Sequence, residues 1–457
     1  MAAMTLAARL AAFAHDLTFD RLPPEVVASV RLRVLDVLGL ALAGSTQDFA
    51  PAVHGALETW DARGDCTVVG GKVTAAAPLA ALANGALAHG LDFDDTHAAS
   101  ITHASAVVLP AVLALAESQG ADGRATATAA VAGYEAIARL GMAAPGAFHE
   151  RGWHATSVCG VFAAALAAGK VLGLDERRLT AAVGLAGSFA SGVQEFLADG
   201  SWSKRAHAGW AAHAGVVAAT LARGGFTGPA SILEGRFGLY RTFLGQAPDE
   251  APFDTLGTTW ETLAVGFKPF PCCHYLHAYL DCALALRAAH GLTAEAIERV
   301  ECLVPAGEVP IVCEPVAAKR RPRTAYDAKF SLPFSVAAAL VDGAIGLDTY
   351  APDRLGDPRV LALAARVEHR VDPHSRFPDG FPGWIRIGLA GGRVLEAREP
   401  DGRGGPRRPL PAEALVEKFR ANAARALPAD RLAAVERAAR GLDALGEVGA
   451  LMRLCRA

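Results

Sequence analysis

No glycine-rich GxGxxG or GxxxxGK[ST] loop occurs anywhere in the 457 residues, so dinucleotide or P-loop nucleotide binding has nothing to rest on. The HExxH pattern and the compact D-x-D-x-[DN]-G run are missing too, which removes two common short metal signatures. There is no basic surplus: 44 Lys and Arg face 47 Asp and Glu, for a net charge of −3, whereas a general nucleic-acid binder carries a cationic excess. Anionic small molecules stay open, provided a few basic residues share one pocket. Mean hydropathy is +0.25, yet the long uncharged stretch 97–116 holds two histidines, two serines and Pro110. It lacks the sustained Leu, Ile and Phe content of a bilayer segment. The first residues bracket a short apolar stretch with Arg9 and Asp16 and show no cleavage pattern, so a cytoplasmic protein is expected. Eight cysteines follow no framework spacing, and the neighbours Cys272 and Cys273 are poorly placed to bridge each other, so reduced thiols are expected.

What is present is apolar. Hydrophobic residues make up 52% and charged residues 20%, enough to bury a sizeable core, and the length exceeds the roughly 100 to 200 residues of one ordinary domain. From Leu6 to Phe267 the texture is helical, with Ala- and Leu-rich segments punctuated by Gly. Pro23 to Ala43 begins with prolines suited to a first helical turn, repeats Val26, Val30, Val34 and Leu38 at helical spacing, and meets Gly44 as its expected stop. Val158 to Leu172 and Ala211 to Ala222 are apolar nearly all round, which predicts central helices. After "KPFPCCHYLH" the pattern changes: Glu298 to Val304 alternates, Val367 to Val371 suits a short strand, and "WIRIGLAGGRVLEA" reads as two strands joined by Ala-Gly-Gly. The Gly-, Pro- and Arg-rich "EPDGRGGPRRPL" looks like a boundary loop, followed by helices over Pro411 to Leu427 and Ala429 to Leu454. The expected fold is mainly α: a large all-α helical domain over 1–267, completed by 405–457, and a smaller α/β domain over 268–404.

Four stretches concentrate chemistry. "HGLDFDDTHAASITHASAVVLP" sets His89, Asp92, Asp94, Asp95, Thr96, His97 and His103 ahead of an apolar helix. Asp94 and Asp95 suit helix capping, worth about 1 kcal/mol. Asp92 and His103, if buried, must be paired or hydrogen-bonded, which makes them candidates for a site. In "ERGWHATSVCGVFAAALAAG", His154 precedes a buried helix whose N-terminal potential would lower its pKa and favour a neutral, proton-accepting ring; the alternative is a histidine filling a polar gap. In "FLADGSWSKRAHAGWAAHAG", Lys204 and His207 share a face if a helix begins near Ser203. Small residues follow, so Lys204 is a candidate anion anchor, while Arg205 better fits an exposed helix start and His213 a core position. In "KPFPCCHYLHAY", Lys268, Cys272, Cys273, His274 and His277 tempt a zinc reading, but no second ligand pair follows. Cys273 is either a reactive thiol or a buried one.

These stretches, with "LPPEVVASVRLRVLDVLGLALAGS", "YDAKFSLPFSVAAALVDG" and "RRPLPAEALVEKFR", occur in an order that resembles the MmgE/PrpD family over nearly the whole chain. The resemblance implies a large all-α domain with a smaller α/β lid, a homodimer, and catalysis on a small polycarboxylate without metal or organic cofactor. Members of that family include 2-methylcitrate dehydratase, cis-aconitate decarboxylase and iminodisuccinate epimerase. By position, Asp92, Thr96, His103, His154, Lys204 and Lys268 match the family's active-site residues. The roles it implies are carboxylate binding by Lys204 and Lys268, proton exchange by His103 and His154, and orientation by Asp92, with His207, Cys273 and His274 as further site candidates. Two departures point away from the decarboxylase type: Cys273 stands where such members carry a histidine, with His274 one residue later, and the interval from Asp92 to His103 is one residue longer.

The resulting expectation is a cofactor-independent lyase, first a dehydratase of a 2-methylcitrate- or citrate-like tricarboxylate. An imino- or amino-diacid epimerase and a cis-aconitate-type decarboxylase are the alternatives within the family. A non-catalytic helical binding protein is the reading from another class, and a metal-dependent hydrolase a further rival. The two lysines and two histidines gathered around one cleft would favour the enzyme; scattered over the surface, they would favour the binding protein.

Overall fold

Every residue from Ala155 to Gly169 is buried in the helix Ala155–Val171, and a helix apolar on all sides needs neighbours on all sides. In the computed structural model, which describes residues 4–60, 63–377 and 380–457, Leu6–Asp16, Ser105–Gln119, Gly123–Met142, Glu176–Ala186 and Ser203–Arg223 surround it. Ala77–His89 packs on the far side of Ser203–Arg223 and against Pro24–Gly44. That approach is close: a β-carbon at Gly209 would lie 2.1 Å from the Leu82 carbonyl oxygen and one at Gly85 2.6 Å from the Gly209 Cα. Only glycine at both positions lets the backbones meet, and the contact draws the start of one helix, with Lys204, toward the end of the other, with His89.

The helix at Pro24–Gly44 has its proline in the first turn as expected, but its end differs. Gly44 is the last helical residue and the cap, Ser45, stays right-handed. A β-carbon at Gly44 would sit 2.2 Å from the Leu87 carbonyl oxygen, so this glycine serves close packing and not a left-handed stop. Ala412–Ala423 packs back on this helix, and Phe419, Leu442, Val448 and Leu451 join the same core as Leu6 and Val265. The final segment is broken, as Ala429–Arg440, a short turn Leu442–Ala444, and Gly449–Arg453. Glycines at 441 and 446 interrupt it, and Leu442 turns inward to be buried.

A second core runs from Phe270 to Leu395. Its sheet has four strands in the order Val367–Val371, Ile297–Val304, Gly383–Leu389, Val394–Glu399. The first pair is parallel with Val300 opposite Val367, and the others are antiparallel, with Cys302 opposite Ile385 and Ile387 opposite Leu395. Gly391 and Gly392 close the hairpin at φ of 87° and 82°, a conformation that suits glycine. Val300, Cys302, Ile385 and Ile387 are buried in one core with the helices His277–His290 and Leu332–Asp342. The architecture is mainly α with a smaller α/β part. Two short strand pairs lie in the helical portion where none was expected, and one matters: Thr96–His97 pairs with Val265–Gly266, Thr96 opposite Gly266, which ties "DFDDTH" to the segment bearing Lys268. Among the described residues no helix is long and apolar enough to cross a membrane.

Candidate active site

Between the two cores lies a partly open cavity. The helical part contributes Asp92, Thr96, His103, His154 and Lys204 to its wall, and the second part Lys268, Cys273 and His274. Ile101, Phe196, Leu197, Ile311, Phe330 and Phe381 complete it, so charged and apolar surfaces share one space. Eight of the nine site residues expected from the sequence thus meet here. The ninth, His207, does not line the cavity. It stands behind His154, the two Nδ1 atoms 3.1 Å apart, so one ring donates to the other.

Asp92 is the centre of charge. Its side chain is fully buried, with Lys204 Nζ at 2.6 Å and Lys268 Nζ at 3.4 Å from its oxygens. Burial alone would push this carboxyl up, but the two ammonium groups outweigh it and hold Asp92 well below the ordinary range. The carboxylate therefore stays ionised, and two cations share one counter-ion at the cavity wall. Lys204 also lies over the Phe330 ring at 4.8 Å. The backbone here is strained: Asp92 has φ 53° and Ile101, also in the wall, φ 52°. Positive φ is uncommon outside glycine and an outlier for a β-branched residue, costing about 1 to 3 kcal/mol each.

His103 donates its Nδ1–H to the Asp95 carbonyl at 2.7 Å, with Thr96 Oγ1 at 3.3 Å. A carbonyl can only accept, so in the neutral ring the proton sits on Nδ1 and Nε2 keeps its lone pair. Burial, with Lys268 and Lys204 adding to it, holds His103 well below its usual pKa despite Asp94 nearby. His154 is neutral for the same main reason, burial, followed by Lys204; the helix start that was expected to depress it is present, His154 being the residue before Ala155–Val171. His274 is lowered to about 3 by burial. Cys273 is pushed up to about 12, again by burial, so it is a thiol and a proton carrier, not a resident thiolate. The cavity thus combines two ammonium groups, one carboxylate and neutral imidazole and thiol groups, an arrangement suited to a polyanion.

The other residues of these stretches fall into place around it. Asp94 does not cap a helix; it binds His89 Nδ1 at 2.6 Å, both groups fully buried. Asp95 accepts from the Ser105 N–H at 3.0 Å at the start of Ser105–Gln119 and pairs with the buried Arg33 at 2.9 Å. His97 turns away, to Ser100 at 2.8 Å and Glu261 at 3.1 Å. Arg205, expected to be exposed, is buried, pairing with Asp48 at 3.0 Å and lying over Phe49 and Tyr326. His149, which the sequence reading passed over, lines the cavity beside His154, ring centroids 6.3 Å apart, and burial lowers it to about 4. It lies five residues before His154, a spacing with no helical or strand meaning, so no local pattern marked it. Among the described residues no group of three or more His, Cys, Asp or Glu is arranged to hold a metal.

The N-terminal domain of the MmgE/PrpD family matches residues 8–251 and its C-terminal domain residues 270–443. The chain is 27% identical to a cis-aconitate decarboxylase of Aspergillus terreus over 468 residues, covering 97% of this chain and 94% of that protein. It is 29% identical to the cis-aconitate decarboxylase of Homo sapiens over 462 residues, covering 97% and 92%. The family profiles and the end-to-end similarity agree with the two-core architecture around one cavity, and the chain belongs to the MmgE/PrpD family.

Proposed function

We propose that this protein is a lyase acting on a small polycarboxylate through charge development beside a retained carboxylate, and that decarboxylation of a cis-aconitate-like tricarboxylate is its reaction. The observation that carries the reading is the Asp92, Lys204, Lys268 and His103 constellation in a cavity with an apolar side. Lys204 and Lys268 hold two substrate carboxylates and favour the developing dianion. The third carboxylate rests against Ile101, Phe330 and Phe381, where a charge is poorly solvated and its loss as neutral CO₂ is favoured. As that C–C bond breaks, its electron pair enters the adjacent alkene and places a carbanion beside a retained carboxylate. His103 delivers the proton that completes the product. Burial and the two lysines keep His103 neutral, but a bound polyanion offsets Lys204 and Lys268 and lets Nε2 take up a proton to give away. The names of the relatives support this order over the dehydratase first expected.

Dehydration is the second reading, supported by Cys273. Neutral His103 and this thiol come from the two different parts of the fold, so His103 Nε2 would take the C–H proton as base and the Cys273 thiol would give its proton to the departing hydroxyl as acid. The family reading also carries a homodimer, which light scattering on the purified protein checks. Incubation with cis-aconitate, citrate and 2-methylcitrate in deuterated water, followed by proton NMR, separates the reactions. Decarboxylation yields CO₂ and a deuterated methylene beside a carboxylate; dehydration gives an alkene with no CO₂; exchange without net loss indicates epimerisation. No change in any of these compounds overturns the proposal.

A further inference from the structure

The loop that carries Asp92 is held by side chains from far along the chain. Lys329 Nζ donates to the Leu91 carbonyl at 2.8 Å, Lys268 Nζ to the Asp92 carbonyl at 3.0 Å, and Lys418 Nζ to the Phe93 carbonyl at 2.9 Å. Three consecutive carbonyls are thus taken by three lysines, and His103 takes a fourth, that of Asp95. Of the three, only Lys268 lines the cavity. Lys329 follows the short helix Ala325–Ala328, and Lys418 lies in Ala412–Ala423. They belong to the stretches "YDAKFSLPFS" and "RRPLPAEALVEKFR", to which no role has been given so far.

A lysine buried only to fill space is costly, so its contacts matter. Lys329 is 5% exposed and forms no ion pair among the described residues. Besides Leu91 it donates to the Pro271 carbonyl at 2.7 Å, and its own carbonyl accepts from the Cys273 N–H at 2.9 Å. It therefore fastens the Asp92 loop to the segment that carries Cys273 and His274. Burial lowers its pKa to about 7, Asp92 opposing the shift. The Lys418 side chain is 7% exposed, paired with Asp36 at 2.9 Å and centred 4.0 Å from the Phe93 ring. A left-handed Asp92 flanked by two such grips cannot relax its φ without breaking a buried hydrogen bond.

We infer that Lys329 and Lys418 are positioning residues of the site, gripping the carbonyls on either side of Asp92 so that its carboxylate meets Lys204 and Lys268. The inference rests on the reading of Asp92 as part of the polycarboxylate site. A double-substitution cycle with cis-aconitate tests it. Lys329→Met and Lys418→Met are each expected to lower kcat/KM about 30-fold or more, mainly in kcat, but less than about 3-fold when added to Asp92→Asn. A purely structural role gives the same factor in both backgrounds, and that result overturns the inference. Should Lys329→Met fail to fold, Lys329→Gln, which keeps an amide donor, enters the same cycle beside Lys418→Met. Crystal structures of the variants read the positioning without any substrate: Asp92 is expected to leave the left-handed region and its contact with Lys204 to lengthen past hydrogen-bond distance. Retention of both overturns the inference even if cis-aconitate is not turned over. Unchanged turnover in Asp92→Asn defeats instead the functional reading, so the two failures are distinguishable.

Discussion

Replacing Asp92 by Asn separates what this carboxylate does for the fold from what it does for the ligand. Asn matches Asp in shape and, like Asp, tolerates the left-handed backbone, so the observed φ of 53° is compatible with the variant. The change leaves Lys204 and Lys268 without the anion that now sits 2.6 and 3.4 Å from their Nζ atoms. Removing one partner of a buried pair costs about 3 to 5 kcal/mol, so the empty variant should melt several degrees below the wild type. For an anionic ligand the balance reverses. A substrate carboxylate roughly 6 Å from Asp92 is repelled by about 2.8 kcal/mol at an effective dielectric of about 20, close to 100-fold in affinity. Citrate should therefore bind the variant more tightly, by about 10- to 100-fold once screening is allowed for, while turnover falls because the two lysines lose their fixed orientation. Saturating citrate at about 100 times its Kd then returns about 2.7 kcal/mol of stability. Thermal melts with and without citrate, titration calorimetry and kcat measure the three effects. Weaker citrate binding with an unchanged melt would refute the view that Asp92 and the ligand compete for the same two ammonium groups.

His277 is fully buried and donates Nε2–H to the Cys272 carbonyl at 3.2 Å, and burial holds it well below its usual pKa. Its stability contribution is present above the unfolded value near 6.5 and is lost as pH falls toward the folded value, at about 1.4 kcal/mol per pH unit. His277→Gln should flatten the acid limb of the melting temperature against pH by up to that slope, and an unchanged limb would count against it. Glu308 has the opposite sign: it is buried, neither side-chain oxygen has a hydrogen-bond partner among the described residues, and burial raises it well above the ordinary range. Its contribution is present below about pH 4.3 and lost as pH rises, so Glu308→Gln should stabilise the protein by about 1 kcal/mol or more at pH 8 and leave it unchanged at pH 4. Equal melts of variant and wild type at pH 8 would contradict this.

Much of the fold was legible because periodicity survives translation into structure. The all-round apolar run that became Ala155–Val171 and the Ala-Gly-Gly turn at 390–392 are local signals, and local signals are what a sequence displays. The broken C-terminal segment was not legible, because its apolar residues keep helical spacing while Gly441 and Gly446 release the chain to bury Leu442. In the site, Asp92, His103, Lys204 and Lys268 stood out as titratable groups in apolar surroundings. Asp94 and Arg205 were misread for a shared reason: each resembles a surface residue until its partner is known, and those partners, His89 and Asp48, lie five and 157 positions away. Lys329 and Lys418 carry no local mark at all, since a lysine that binds a distant carbonyl looks like any other lysine.

The strained backbone shows why such distant residues matter. Neither Asp92 nor Ile101 signals a positive φ in sequence, yet both adopt one, and both face the cavity. A conformation that costs about 1 to 3 kcal/mol per residue persists only where surrounding contacts overdetermine it. Here those contacts include the loop's own turns, with the Asp92 N–H on the His89 carbonyl at 3.1 Å and the Ile101 N–H on the Ala98 carbonyl at 3.2 Å, and beyond them Arg33 on the Asp95 carboxylate, His89 on that of Asp94, and the lysines on the carbonyls of residues 91, 92 and 93. These partners come from both parts of the fold, Lys329 from the second core's segment and Arg33 and Lys418 from the helical one. Closing the two cores together is therefore the same event as fixing Asp92 in its left-handed conformation at the cavity wall. A change that loosens their contact should lower activity before it lowers the helical content of either part.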